Sequence, residues 1–203
     1  FGESGLWLAL FAVAGTLLLE PAAASALTLR LYRARALHPH EAPEIWALLR
    51  ELSVRAGLPA TPVPHYVPSA VVNAFATGSK QEASIALTDG LLRRLSPREL
   101  AGVLAHEIAH KLDALDGAMD GTPPLPRDWQ KRWASDFQRA YDALCTQVDA
   151  GRETAIDAYA AESPEEFFAV CSEYHFSDVA TLRSAMPEVA AHLQRFYGPP
   201  LLG

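Results

Sequence analysis

The sequence predicts a mainly helical α+β fold, and three observations carry that expectation. Apolar residues recur at helical spacing over long stretches, as in Ile45, Trp46, Leu48, Leu49 and Leu52. Short β-prone runs gather between residues 62 and 87, punctuated by proline, serine and glycine. Directly after them, His106-Glu107-Ile108-Ala109-His110 sits inside an apolar-striped helical pattern. With 203 residues and 50% hydrophobic content, the chain can bury a substantial core.

Taken in order, the chain opens on a hydrophobic leader, expected over residues 1–35. Leu6 to Leu19 is almost wholly apolar, yet at about 1.5 Å per residue it reaches only about 21 Å of a bilayer core about 30 Å thick. The longer segment from Leu6 to Leu29 reaches spanning length with Glu20 and Pro21 near its middle. Arg30, Arg33 and Arg35 follow, which by the positive-inside rule would hold the downstream domain on the cytoplasmic side. A membrane segment is the expectation. A soluble helix, in a cytoplasmic protein, and a cleaved signal ending at Ala22-Ala23-Ala24 are the alternatives.

The domain proper is expected over 36–203. His38-Pro39-His40 reads as a turn rather than a metal pair. Glu41 to Ala56 reads as an amphipathic helix with Pro43 in its first turn and Gly57 as its stop. Pro62 to Val67, Val71 to Ala76 and Ala83 to Leu87 read as strands, and Leu91 to Leu95 as a short helix. Asn73 to Ala76 or Ser84 to Leu87 could form a free edge able to hold an extended peptide by strand addition. Ser96 and Glu99 form a capping-box pattern ahead of the next helix.

On that helix, residues four apart lie one above the other. His106 and His110 can therefore close on one metal ion, while Glu107 can reach a water bound to it. Two imidazoles plus a general base at this spacing is the arrangement of zinc hydrolysis. Downstream, Asp113, Asp116, Gly117, Asp120 and Gly121 lead into a turn-rich loop that fails the calcium-loop spacing. Asp113, seven residues after His106, would either orient a ligand imidazole or anchor that loop. Trp129 to Val148 reads as a helix, and Asp149 to Ala161 as a connection. Ser163 and Pro164 open another helix as N-cap and first residue. Two short helices follow, through Leu182 and from Pro187 to Phe196.

Composition narrows the function. A formal charge of −7 argues against a nucleic-acid partner. Cys145 and Cys171 lack metal-binding or disulfide-scaffold spacing, and Cys171 reads as a buried thiol. A catalytic zinc needs a third protein ligand. The residues after His110 are Lys111-Leu112-Asp113, which excludes an immediately following histidine. His175, His192, Glu165 and Glu166 remain as candidates. Glu166 also has a metal-free explanation, because Ser163 and Glu166 complete a capping box.

Tyr66 to His110, including Asn73-Ala74-Phe75-Ala76-Thr77-Gly78 and Leu92 to Glu107, resembles the HtpX-type membrane-associated zinc endopeptidases. From His106 onward the chain resembles the Mlc titration factor A (MtfA) peptidases, through His106 to Gly117 and Ile156 to Val170. Both are gluzincins, so the resemblance implies a zincin-like fold and one Zn2+ per chain. It implies His106, His110 and Glu166 as metal ligands, with Tyr159 near the metal as a catalytic residue. The HtpX-type glutamate followed by an Ala-Asp pair has no counterpart here.

The function so implied is a zinc-dependent metallopeptidase with Glu107 as general base, acting on a peptide or protein substrate. Tyr159 or His175 would stabilise the oxyanion. The alternative is a catalytically inactive relative that binds a regulator protein, since the second family also binds a transcriptional repressor.

Overall fold

The computed structural model describes residues 21–79, 82–115 and 120–201. The leader stretch 6–19 and the loop residues Asp116 and Gly117 lie outside these. The architecture is mainly helical α+β, as expected, with one small sheet. The chain forms two compact units, one comprising residues through 53 with 59–96, the other 54–58 with 97–203.

In the first unit, α1 (Pro21–Leu31) is followed by β1 (Arg35–Ala36) and α2 (Pro43–Ala56). Then come β2 (Val63–Val67), β3 (Ala74–Gly78), β4 (Ala83–Thr88) and α3 (Asp89–Arg94). The strand order is β1-β2-β4-β3, with β2 and β4 parallel and the outer pairs antiparallel. Every residue of β4 is buried. That suits a central strand whose backbone is paired on both sides and whose two faces are covered. Ser84 to Leu87 is therefore interior, while Ala74 to Ala76 lies on an edge strand. Among the described residues no helix is long and apolar enough to cross a membrane.

Two local expectations need correction. The strand expected over 71–76 begins three residues later, at Ala74. The backbone before it is engaged in a turn: Ser69 Oγ accepts from Val71 N at 3.3 Å, and Ser69 O accepts from Gly90 N at 2.9 Å. Gly90 permits this, because a Cβ there would lie 2.2 Å from the Ala70 carbonyl oxygen. Strand β1 was not expected at all, since two residues are too few to show an alternating pattern. His38 to His40 does form a turn, with Glu41 accepting from His38 N at 2.9 Å.

The second unit is helical: α4 (Pro97–Asp113), α5 (Arg127–Asp149), a 3-10 turn (Ala158–Ala161), α6 (Pro164–Ser177), α7 (Val179–Ala185) and α8 (Pro187–Tyr197). Its packing centres on α4 lying against α6. Trp133, Phe167, Phe168 and Phe176 are fully buried, and Cys171 is a buried thiol. Trp133 stacks on Phe137 one helical turn away, with centroids 4.1 Å apart, and meets Phe168 edge-on at 5.7 Å. Each such ring contributes about 1.5–3 kcal/mol through burial. Because Phe167 and Phe168 follow Glu166 directly, their burial sets the rotation of α6 about its own axis.

Candidate metal centre

His106 and His110 sit on α4 with a buried run of residues around them, from Ala101 to Ala109. The fourfold spacing brings their rings to a centroid separation of 4.9 Å, edge to face. Their Nε2 atoms face each other at 3.2 Å. Glu166 arrives from the first turn of α6, and its Oε2 lies 3.5 Å from both of those nitrogens. Ser163 does cap α6, accepting from Glu166 N at 3.2 Å. The Glu166 carboxylate, however, turns to the imidazoles rather than completing a capping box.

Among the described residues, His106, His110 and Glu166 are the group of ligand-type side chains whose donor atoms converge. Their separations of 3.2, 3.5 and 3.5 Å can be compared with a zinc site. A tetrahedron with zinc–nitrogen and zinc–oxygen bonds of about 2.0–2.1 Å has ligand edges of about 3.3–3.4 Å. The three atoms thus already occupy the spacing that a zinc ion requires. Glu166 Oε2 is buried with no geometrically complete hydrogen bond, as is His106 Nδ1. A carboxylate oxygen so placed is costly unless a positive charge meets it.

Electrostatics agrees. Burial opposes a charge on His106, yet the adjacent Glu166 and Glu173 carboxylates, assisted by Glu107, push it up to about 10. Burial raises Glu166 in turn, and the two imidazoles overcome it and bring it down to about 2. In the metal-free protein a proton therefore occupies the place where positive charge is favoured. A metal cation would replace that proton.

Glu107 is 3% exposed, and its charge bears on His106, Lys111 and Tyr159. Tyr159 is half-buried on the 3-10 turn, where Asp157 Oδ1 accepts its backbone N–H at 2.9 Å. Burial and the Glu166 charge hold its phenol well above the usual range, so the hydroxyl stays a proton donor.

Other candidates fall elsewhere. His175 is buried with its Nε2 donating to Gly198 O at 3.0 Å, and burial pushes it down to about 4. It packs against Phe176 and Tyr197 and is not part of the group whose ligand atoms converge. His192 has both nitrogens engaged: Trp129 Nε1 donates to Nδ1 at 2.7 Å, and Nε2 donates to Asp136 at 2.9 Å. Glu165 is not part of the converging group. Asp113, expected as either ligand-orienting or loop-anchoring, is fully buried and accepts the backbone N–H groups of Asp120, Gly121 and Thr122. It anchors the loop.

Sequence reasoning missed Glu173, whose Oε2 lies 3.4 Å from His106 Nδ1. Its signal was available: Glu166 and Glu173 are two helical turns apart and share a face.

Comparison with known families bears on this arrangement. The family model for glucose-regulated metallo-peptidase M90 matches residues 78–198. The chain belongs to that family. A second model, peptidase family M48, matches residues 39–114. The chain is a gluzincin metallopeptidase homologue with both HtpX-like and MtfA-like features. The two matches share residues 78–114. The M48 match ends just after His110 and the M90 match runs on to residue 198, in line with the two resemblances, and the shared stretch spans β4, α3 and α4. The zincin-like reading of the fold fits both families.

Among curated relatives, the chain is similar to a "Protease HtpX homolog" of Syntrophobacter fumaroxidans (strain DSM 10017 / MPOB), 49% identical over 85 residues, 41% of this chain and 30% of the relative. It is 38% identical over 124 residues to that of Desulfatibacillum aliphaticivorans, covering 60% and 40% of the two chains. With that of Ralstonia pickettii (strain 12J) it shares 42% identity over 110 residues, covering 54% and 38%. The matched part of this M90 member thus spans 30–40% of these relatives' lengths.

Proposed function

We propose that this M90 member is a zinc-dependent peptidase whose domain lies within residues 36–203. The observation that carries this reading is the triangle of His106 Nε2, His110 Nε2 and Glu166 Oε2, spaced at 3.2–3.5 Å. These three atoms would hold one zinc ion. When bound there, zinc supplies Lewis acidity, polarising a peptide carbonyl and making water a stronger nucleophile near neutral pH.

The chain's own residues do the rest. Glu107 accepts the attacking water's proton at its carboxylate and returns it to the nitrogen of the departing amine. The buried placement of Glu107 on α4 limits competition from bulk water for that proton. Tyr159 donates a hydrogen bond from its hydroxyl to the developing oxyanion. Its raised pKa suits it to donate without losing the proton. Substrates are peptides or proteins, a proposal supported by both matching peptidase families.

The test is Glu107→Gln, measured with an unstructured peptide substrate and by metal analysis. Zinc stays bound near one per chain while hydrolysis is lost. Retained hydrolysis overturns the assignment of Glu107, and failure of the parent protein to bind zinc overturns the whole reading.

A further inference from the structure

We propose that Glu173 is the positioning residue for His106, holding the imidazole in the tautomer whose Nε2 lone pair faces His110 and Glu166. This rests on the zinc reading above.

An imidazole that offers one nitrogen to a metal must carry its proton on the other. Nε2 of His106 faces Nε2 of His110 and Oε2 of Glu166, so its proton belongs on Nδ1. That Nδ1 is buried, where a donor without a partner is costly. Glu173 Oε2 lies 3.4 Å from it. The separation is long for a hydrogen bond, and the broad terminal torsion of glutamate leaves the carboxylate free to turn toward the ring.

The helix pair is built to bring this carboxylate in. Glu166 and Glu173 lie on one face of α6, so one ring of α4 meets a carboxylate at each nitrogen. Gly102 lies one turn before His106 on the same face of α4. A Cβ there would stand 2.9 Å from Ser177 Cβ, 3.1 Å from Glu173 Cγ and 3.2 Å from Glu173 O. Glycine at this position lets α6 approach until Glu173 passes over α4 and reaches the ring. Carboxylates behind ligand histidines fix tautomer and orientation, and their loss typically costs about 10–100-fold in metal affinity.

The experiment compares Glu173→Met, which keeps the packing over Gly102 but offers no oxygen, with Glu173→Gln, which keeps an oxygen acceptor. Zinc affinity is measured by chelator competition, and the zinc-loaded 15N-labelled proteins are examined for an exchange-protected His106 Nδ1–H resonance. We expect Glu173→Met to bind zinc about 10–100-fold more weakly and to lose that resonance. Glu173→Gln recovers most of the affinity and keeps it. Unchanged affinity in Glu173→Met, or a Glu173→Gln as weak as Glu173→Met, overturns the tautomer role while leaving the zinc reading intact. A parent protein that binds no zinc overturns both.

Discussion

Gly121 donates its backbone N–H to both carboxylate oxygens of Asp113, at 3.0 Å each. The bond ties the far end of the loop to the last residue of α4. Gly121 has φ of +80°, and a Cβ there would lie 2.4 Å from Pro164 O. Pro164 is the first residue of α6, two before Glu166. The loop anchor thus also abuts the segment that carries the candidate third ligand.

Gly121→Ala therefore carries a left-handed backbone penalty of about 1–2 kcal/mol plus displacement of the start of α6. Gly151, with φ of +63° and nothing within 4 Å, is the control that bears only the backbone penalty. Both substitutions lower thermal stability, but only Gly121→Ala weakens zinc binding in chelator competition. Asp113→Asn, which places an amide N–H2 among backbone donors, costs about 1–3 kcal/mol in denaturant unfolding.

Capping and ligation by the start of α6 separate experimentally. Ser163→Ala removes the cap and costs about 1 kcal/mol of stability, while zinc stoichiometry stays at the parent value. Glu166→Ala leaves the cap and strongly lowers bound zinc, measured by metal analysis after gel filtration. If zinc content is unchanged in Glu166→Ala, the third ligand lies elsewhere.

In the metal-free protein, His106, His175 and Glu166 each make stability depend on pH. His106 binds its proton more tightly when folded, at about 10 against 6.5, so its contribution is complete below 6.5 and is lost as pH rises toward 10. His175 is held neutral, at about 4 against 6.5, so stability falls as pH drops from 6.5 toward 4. Glu166, at about 2 against 4.5, contributes above 4.5 and loses that contribution as pH falls toward 2. The contributions of these groups together are greatest near pH 6.5. Urea unfolding of chelator-treated protein from pH 4 to 10 checks this, and His175→Gln flattens the acidic limb.

His192 is a strut rather than a ligand. His192→Ala removes the partner of the buried Trp129 N–H and one partner of Asp136. That costs about 1–3 kcal/mol and leaves zinc affinity unchanged. A loss of zinc affinity in this variant would contradict its placement between α5 and α8.

What the sequence by itself determined is what neighbouring residues decide. The pairing of His106 with His110 follows from 3.6 residues per turn, and the start of α6 follows from Ser163 and Pro164. Helix stripes marked out α2, α4 and α5 because burial repeats along one chain segment. The late start of β3 escaped, because Val71 and Val72 have strand propensity while a hydrogen bond to Ser69 Oγ and contacts with Gly90 hold that backbone in a turn. Only the tertiary structure could bring Glu166, rather than Glu165, His175 or His192, to the two imidazoles as the candidate third ligand. That placement depends on how the buried Phe167 and Phe168 rotate α6 against α4, a long-range packing outcome with no local periodicity. The same packing separated the two readings of Asp113 and delivered Glu173 to the second nitrogen of His106, since residues more than sixty positions apart meet only when α4 and α6 close.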